Sequence, residues 1–260
     1  MANININTNI NHRITNTIHK VVKRKISLSV VNIYLLRHGA LVQSGILCGR
    51  TDIALSDQGE QQLIEATKNL PKISQCYSSP LIRCRQFAQQ YGQQHGLCVQ
   101  VLAELQEMNF GDWDGKSYQT LWQPELQAIP QSAQQRAQPT KEKLTTLGDF
   151  WQNPWQYQPP NGETMIDFTQ RVDHFWQNLL AELIQAEQEQ KQNENQSSQQ
   201  QENILVVSHG GVIRYILAKV LGLPLPGVNH MTNIDVPYGG LIHLQVIIDD
   251  SGNAWPKLML

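Results

Sequence analysis

The chain has 260 residues, of which 40% are hydrophobic and 16% are charged, and a formal net charge of −2. This hydrophobic content supports a sizeable core and excludes a wholly disordered chain, and the near balance of charge argues against a dedicated nucleic-acid-binding protein. Apolar runs stay shorter than the roughly 18 residues that a membrane span needs, so we expect no membrane partner.

The cysteines argue for a reducing compartment, because four thiols with no C-x-x-C pair and no zinc spacing do not make a disulfide scaffold at this length. They are Cys48, Cys76, Cys84 and Cys98. A basic stretch at 20–25 followed by an apolar one resembles the start of a signal peptide. Polar residues interrupt it and no small-residue cleavage site follows. We therefore expect a cytoplasmic protein.

Strand and helix patterns alternate along most of the chain. Period-two or continuous apolar runs predict strands at 32–36, 73–78, 97–102, 203–207 and 241–248. Helical patterns are predicted at 57–70, after an N-cap at Ser56, and at 81–94, 165–185 and 211–222. This alternation predicts an α/β protein, a three-layer αβα sandwich around a mostly parallel central sheet.

Three segments do not fit the alternation. Residues 1–31 are rich in asparagine and threonine and are predicted to be a flexible extension, so the folded domain spans 32–260. Residues 116–160 lack a core-strand pattern and are predicted to form a small helical cap insertion. The polar tract at 185–202 is predicted to be a frayed helix end and a flexible loop.

Histidines and arginines follow the predicted strands at the points where the strands end. Arg37, His38 and Gly39 follow the first strand, Arg83 follows the second, and His209 and Gly210 follow the fourth. Since the carboxyl ends of parallel strands share one edge of a sheet, we expect these side chains to lie together there. Each residue alone has an ordinary structural explanation, such as a backbone-bonded histidine or a solvated arginine. Their joint placement favours a shared site.

The chemistry of this set suits phosphoryl transfer without a metal or other cofactor. A neutral imidazole at His38 can attack phosphorus, and nearby guanidinium charge discourages its protonation. Arg37 and Arg83 can each grip phosphoryl oxygens through two parallel hydrogen bonds. His209 can donate a further hydrogen bond, and the helix N-terminus at Gly210 favours an anion.

A general acid is needed for the departing alkoxide. The segment at 103–115 offers four carboxyl groups, those of Glu104, Glu107, Asp112 and Asp114. Glu107 is our prediction, because it lies just past a strand, with Phe110 and Trp113 nearby to raise its pKa by desolvation. An ordinary exposed loop carboxylate is the alternative.

Six sequence blocks carry a family resemblance. In chain order they are LLRHG, GRTDIALSDQG, SSPLIRCRQFA, ELQEMNFGDWDG, NGETMIDFTQRV and VVSHGG. Together they resemble the histidine phosphatase superfamily, whose fold is that of phosphoglycerate mutase. The resemblance implies a phosphohistidine intermediate, no metal, and functional roles at Arg37, His38, Arg83, Glu107 and His209.

Within that superfamily, the GILCGRTD, FGDWDG and NGE blocks look most like the α-ribazole phosphatases, which release phosphate from α-ribazole 5′-phosphate during cobalamin biosynthesis. Three positions depart from the family pattern. Ala40 replaces a usual glutamate and Phe87 replaces a usual threonine. Ser44 stands where many members have an asparagine that contacts phosphate, so this contact is either made by a hydroxyl here or absent. The expected phosphate-binding set is completed by Ser44 and Gly210.

The aromatic residues of the predicted cap have two possible roles, and the identity of the substrate depends on which one holds. They either stack on a flat heterocycle, as α-ribazole would require, or form the cap's own core; they are Tyr118, Trp122, Trp151, Trp155 and Tyr157. The cap lacks the R-R-x-Y motif of the mutases.

The expected partner is a small phosphorylated metabolite, and the sequence leaves the oligomeric state open. The alternatives are a broad-specificity sugar or phosphoglycerate phosphatase or mutase, and a weakly active interaction module. A metal-dependent phosphatase is disfavoured, because the sequence shows no Asp/His cluster at metal spacing.

Overall fold

The computed structural model describes residues 29–122, 145–192, 202–226 and 233–260. Within these ranges the strands are β1 (Ser29–Arg37), β2 (Gln75–Ser78), β3 (Val99–Val101), β4 (Glu202–Ser208), β5 (Leu241–Ile248) and β6 (Ala254–Met259). The helices are α1 (Asp57–Thr67), α2 (Ile82–His95), α3 (Tyr118–Leu121), α4 (Leu147–Gln152), α5 (Met165–Gln192) and α6 (Gly210–Val220).

The strands of the described residues form one mixed sheet in the order β3-β2-β4-β1-β5-β6. The first four are mutually parallel, while β5 runs antiparallel to β1 and β6 antiparallel to β5. Arg37 pairs in register with Ser208, and Ser78 with Val207. The predicted α/β architecture with a mostly parallel sheet is therefore confirmed, and this register brings the carboxyl ends of β1, β2 and β4 side by side.

Apolar side chains cover both faces of the central strands, as expected for a parallel sheet between two helical layers. Along β1, Ile33 and Leu35 face a core built largely from α5 and α6. Tyr34 and Leu36 face the opposite core, which α1 and α2 supply. With β1 buried on both faces, its carboxyl end is held rigidly, which suits a residue that must be positioned accurately.

Two predicted boundaries are wrong. Strand β1 begins at Ser29, so 29–31 belong to the sheet and not to the extension. Helix α5 continues into the polar tract, as far as Gln192, beyond the predicted end at 185. It does so because Glu187 still packs on the protein, and Lys191 pairs with both Glu187 and Asp250 at 3.3 and 3.1 Å. Residues 1–28 and 193–201, which carry the rest of those two predictions, lie outside the described residues.

The described parts of the predicted cap, 116–122 and 145–160, pack on the main domain. Leu121, Leu147 and Phe150 are buried in the same core as α5 and α6, so these residues do not form a separate core.

Strand β6 is absent from the sequence-based prediction, since Pro256 interrupts its pattern; an edge strand tolerates that proline. The four cysteines are not disulfide-bonded. In the part of the chain that the structure describes, no helix has the length and apolarity to cross a membrane.

Candidate active site

His38 is held by the backbone at the end of β1. Its amide donates to the Ser208 carbonyl at 2.9 Å, which ties it to β4. Its ring Nδ1 lies 2.9 Å from the Gly39 carbonyl. A carbonyl only accepts, so Nδ1 carries the ring proton and Nε2 keeps its lone pair. Burial, and next the charge of Arg83, lower the pKa of His38 to about 3, so the ring is neutral.

Arg37 lies against Tyr238, a residue that sequence reasoning missed. The guanidinium carbon is 4.2 Å from the Tyr238 ring centroid, and the His38 ring is 5.4 Å from the same ring. One terminal nitrogen of Arg37 donates to the Val236 carbonyl at 2.5 Å, while Nε is buried without a partner. A buried donor without a partner costs folding free energy, so Nε is available to donate to an acceptor that binds in the site.

Arg83 is wholly buried and does not line the cleft. Its terminal nitrogens donate to the carbonyls of Thr51 and Gly49 at 2.8 and 2.5 Å, and its Nε donates to His209 Nδ1 at 3.3 Å. Its charge lowers the pKa of both site histidines. The predicted grip of Arg83 on phosphate stays a prediction; in this arrangement the residue acts through His209 and through its charge.

His209 packs beside the nucleophile candidate, with its ring centroid 5.2 Å from that of His38. Since Arg83 donates to Nδ1, the proton of the neutral ring lies on Nε2, 2.7 Å from the Ser79 hydroxyl. Burial first, and then the charge of Arg83, lower the pKa of His209 well below its usual range. The expected donation from His209 to a phosphoryl group stays a prediction; in this arrangement its N–H faces the Ser79 hydroxyl.

Of the four candidate carboxyl groups, Glu107 is the one that lines the cleft. Its Oε1 accepts from the Met108 amide and its Oε2 from the Gly211 amide, each at 3.0 Å. Asp114 is instead bonded to the backbone amides of 49–51, and Asp112 to Asn161. Phe110 lines the same cleft, whereas Trp113 is buried in the core.

The GRTD block is structural. Asp114 accepts from the amides of Gly49 and Thr51 at 3.1 and 3.0 Å, while Arg83 binds the carbonyls of the same two residues from the other side. Asp52 Oδ1 accepts from the Ile82 amide at 2.6 Å, at the first residue of α2. The block therefore connects the loop after β1 to the start of α2.

An open cleft of about 570 Å³, including its mouth, joins these groups. Arg37, His38, Glu107 and Gly210 line it, and so do several residues that were not predicted as site residues: Leu41, Ile46, Leu47, Cys48, Gly211, Arg214 and Tyr238. The aromatic residues Phe110, Tyr118 and Trp151 complete the lining. Ser44 is exposed on the loop and is not a lining residue, so its contact with phosphate stays a prediction.

Arg214 adds a second guanidinium to the cleft. Its Nε donates to the Ile234 carbonyl at 2.7 Å. A Cβ on Gly210 would lie 3.5 Å from an Arg214 terminal nitrogen and 3.4 Å from the Arg37 guanidinium carbon. The two arginines thus converge over Gly210, at the N-terminus of α6. The sequence clue to Arg214 is its position about one helical turn after the S-H-G-G run. Among the described residues, no cluster of three or more His, Cys, Asp or Glu could hold a metal ion.

Comparison with known proteins identifies the family. A model of the histidine phosphatase superfamily, branch 1, matches residues 33–147 and 134–250. The chain belongs to this superfamily. Among its relatives, the adenosylcobalamin/α-ribazole phosphatase of Escherichia coli K12 is 28% identical over 77% of this chain and 84% of its own. The glucosyl-3-phosphoglycerate phosphatase of Mycobacterium tuberculosis (strain CDC 1551) is also 28% identical, over 76% and 80%.

Solved structures show the same fold for this histidine phosphatase domain. A mycobacterial glucosyl-3-phosphoglycerate phosphatase superposes with a TM-score of 0.65 at 24% identity, over 88% of this chain and 97% of that one. A putative α-ribazole-5′-phosphate phosphatase from Escherichia coli K-12 gives 0.60 at 25% identity, over 88% and 95%. This chain is therefore similar to relatives that are named for two different substrate classes.

Proposed function

We propose that this protein is a phosphomonoester hydrolase that works through a phosphohistidine at His38. The observation that carries the proposal is the Nδ1 bond from His38 to the Gly39 carbonyl, in a ring whose lowered pKa keeps it neutral. This bond leaves the Nε2 lone pair available for attack. As the N–P bond forms, the P–O bond to the leaving group breaks.

Positive charge at the cleft replaces the metal that other phosphoryl-transfer enzymes use. Arg37 lines the cleft and has one buried Nε–H with no acceptor, which a phosphoryl oxygen can supply. Arg214 and the N-terminus of α6 face the same space. We therefore expect turnover to be unchanged by EDTA.

Glu107 is the proposed acid and base. It gives its proton to the departing alkoxide, and then takes one from the water that attacks the phosphohistidine. The second step breaks the N–P bond, releases inorganic phosphate and restores neutral His38. The position of Glu107 on the cleft wall, bonded to the first turn of α6, supports this role.

The test of the covalent step is a quench experiment with ³²P-labelled phosphomonoester. Wild-type enzyme should carry an acid-labile, base-stable label, and His38→Ala should carry none and lose nearly all turnover. His174→Ala, at an exposed histidine of α5, is the matched control and should behave like wild type. A label retained by a folded His38→Ala protein would refute the assignment.

For the substrate, we propose α-ribazole 5′-phosphate. The aromatic lining by Phe110, Tyr118, Trp151 and Tyr238 supports a flat heterocycle beside the phosphate. Arg214 favours a second candidate, glucosyl-3-phosphoglycerate, because a guanidinium in the cleft can pair with a glycerate carboxylate.

Two variants separate these candidates. If the ring stacks on Trp151, Trp151→Ala should lower kcat/KM for α-ribazole 5′-phosphate by about fivefold, since a stacking contact is worth about 1 kcal/mol. Trp122→Ala, at a 55% exposed tryptophan outside the cleft, is the control. Arg214→Gln should selectively weaken glucosyl-3-phosphoglycerate. A larger kcat/KM for that substrate, lost in Arg214→Gln, would favour the second candidate.

A further inference from the structure

The guanidinium of Arg171, on α5, is saturated by contacts with Glu163 and with the segment that carries Glu107. An arginine has five N–H groups in a fixed planar fork, and here five hydrogen bonds leave it. Two go to Glu163 Oε1 and Oε2 at 2.7 and 2.9 Å. The other three reach main-chain carbonyls: Glu104 at 2.8 Å, Gln106 at 2.7 Å and Glu107 at 3.0 Å.

Glu163 binds the same segment from the far end. Its Oε2 accepts from the Asn109 amide at 3.1 Å, and its own amide donates to the Asn109 carbonyl at 2.8 Å. Arg50 adds a second cation, with its Nε 3.0 Å from the Glu107 carbonyl. The backbone on both sides of Glu107 is therefore bonded to charged side chains.

The side chain of Glu107 lies in the cleft, where its two carboxyl oxygens each accept a hydrogen bond from a backbone amide. Any other position of the carboxyl group would lose one of these bonds. The carbonyl of the same residue receives Arg171 and Arg50. A shift of the backbone at 104–109 would therefore move the carboxyl relative to the bound phosphate ester. Misplacement of a reacting group by about 1 Å can cost roughly 10²-fold in rate.

We propose that Arg171, aligned by Glu163, is a positioning residue that sets the place of the Glu107 carboxyl for proton transfer to the leaving group. This rests on the proposed function, in which Glu107 is the acid. Neither Arg171 nor Glu163 lines the cleft, so they act on the leaving group through the segment they bind. The charge of Arg171, which contributes to the lowered pKa of His209, is kept in Arg171→Lys. Their loss should therefore resemble loss of the acid and not loss of phosphate binding.

The experiment compares kcat/KM for an alkyl phosphate, whose leaving group needs a proton, with kcat/KM for 4-nitrophenyl phosphate, whose leaving group needs little. Hydrolysis of the phosphohistidine, which both esters share, follows release of the leaving group and does not enter kcat/KM. Glu107→Gln is the reference and should lose roughly 10²-fold or more on the alkyl ester, with a much smaller loss on the nitrophenyl ester. Arg171→Lys keeps the charge but not the fork, and should lose roughly 10- to 10²-fold on the alkyl ester. Its loss on the nitrophenyl ester should be at least about tenfold smaller.

The decisive measurement is Arg171→Lys made in the Glu107→Gln background. If Arg171 acts through the carboxyl, the second substitution should add less than about threefold, because residues that act as a unit are not additive. Glu163→Gln, which keeps the shape of the side chain, should repeat the alkyl-selective loss, and Arg85→Lys, at an exposed arginine of α2, should have no effect. Thermal unfolding of each variant establishes that it is folded.

Equal losses on both esters, or full losses in the Glu107→Gln background, would overturn the proposal and leave Arg171 a structural residue. If Arg171→Lys does not fold, Glu163→Gln decides the question by the same two criteria. A Glu107→Gln protein that loses both esters equally would instead overturn the acid assignment in the proposed function. The two failures are therefore distinguishable.

Discussion

The neutral state of His38 should persist far into the acid range. Burial and Arg83 lower its pKa to about 3 in the folded protein, against 6.5 for an ordinary histidine. At pH 5 an ordinary histidine is about 97% protonated, whereas a group with a pKa near 3 is only about 1% protonated. The His38 ring is therefore expected to stay neutral at pH 5, with a free lone pair on Nε2.

The same shift makes folding depend on pH. The folded pKa is below the unfolded one, so the unfolded chain binds the proton more tightly, and stability is lost as the pH falls below 6.5. The loss ends below the folded pKa of about 3. Between pH 6.5 and 5, His38 alone should lower the free energy of unfolding by about 2 kcal/mol. His209, whose pKa is also lowered by burial, should add to this loss.

Nitrogen-15 NMR of histidine-labelled protein tests both the protonation state and the tautomer. Between pH 8 and 5, His38 should keep the shifts of a neutral ring with the proton on Nδ1, and His209 those of a neutral ring with the proton on Nε2. His38→Gln assigns the resonance, and urea unfolding at pH 6.5 and 5 should show a smaller loss in that variant than in a His174→Gln control. A His38 ring that titrates near pH 6.5, or carries its proton on Nε2, would refute the reasoning.

Two further predictions concern packing around the site. Gly39→Ala should abolish turnover, because the new Cβ would lie 2.0 Å from the Gly59 carbonyl oxygen and the loop after β1 must shift; wild-type kcat/KM in this variant would contradict the close approach. Phe150→Ala should cost about 3–5 kcal/mol in urea unfolding, since Phe150 packs at 6.0 Å from both Phe110 and Trp113 in the core. A cost under about 1 kcal/mol would mean that 145–160 is not part of that core.

The architecture and the closeness of the two histidines could be predicted from the amino-acid sequence. Strand periodicity and the placement of His38 and His209 after strands are local features, and parallel pairing places the ends of such strands at one edge. The pairing of Arg37 with Ser208 shows that β1 and β4 end side by side, as expected. The Ser56 N-cap, which accepts from the Gly59 amide, was likewise readable from a short stretch of chain.

The protonation states, the hydrogen-bond partners and the supporting residues of the site depend on contacts between residues far apart in the chain. The proton positions on His38 and His209 depend on a carbonyl and on an arginine 126 residues away from His209. Arg171 is recognised as a support for Glu107 only through its bonds to carbonyls 64 to 67 residues distant. Tyr238 contacts Arg37 across a gap of 201 residues. Such contacts follow from how the layers pack and leave no periodic trace in the sequence, because neither partner's local pattern changes when the other is present.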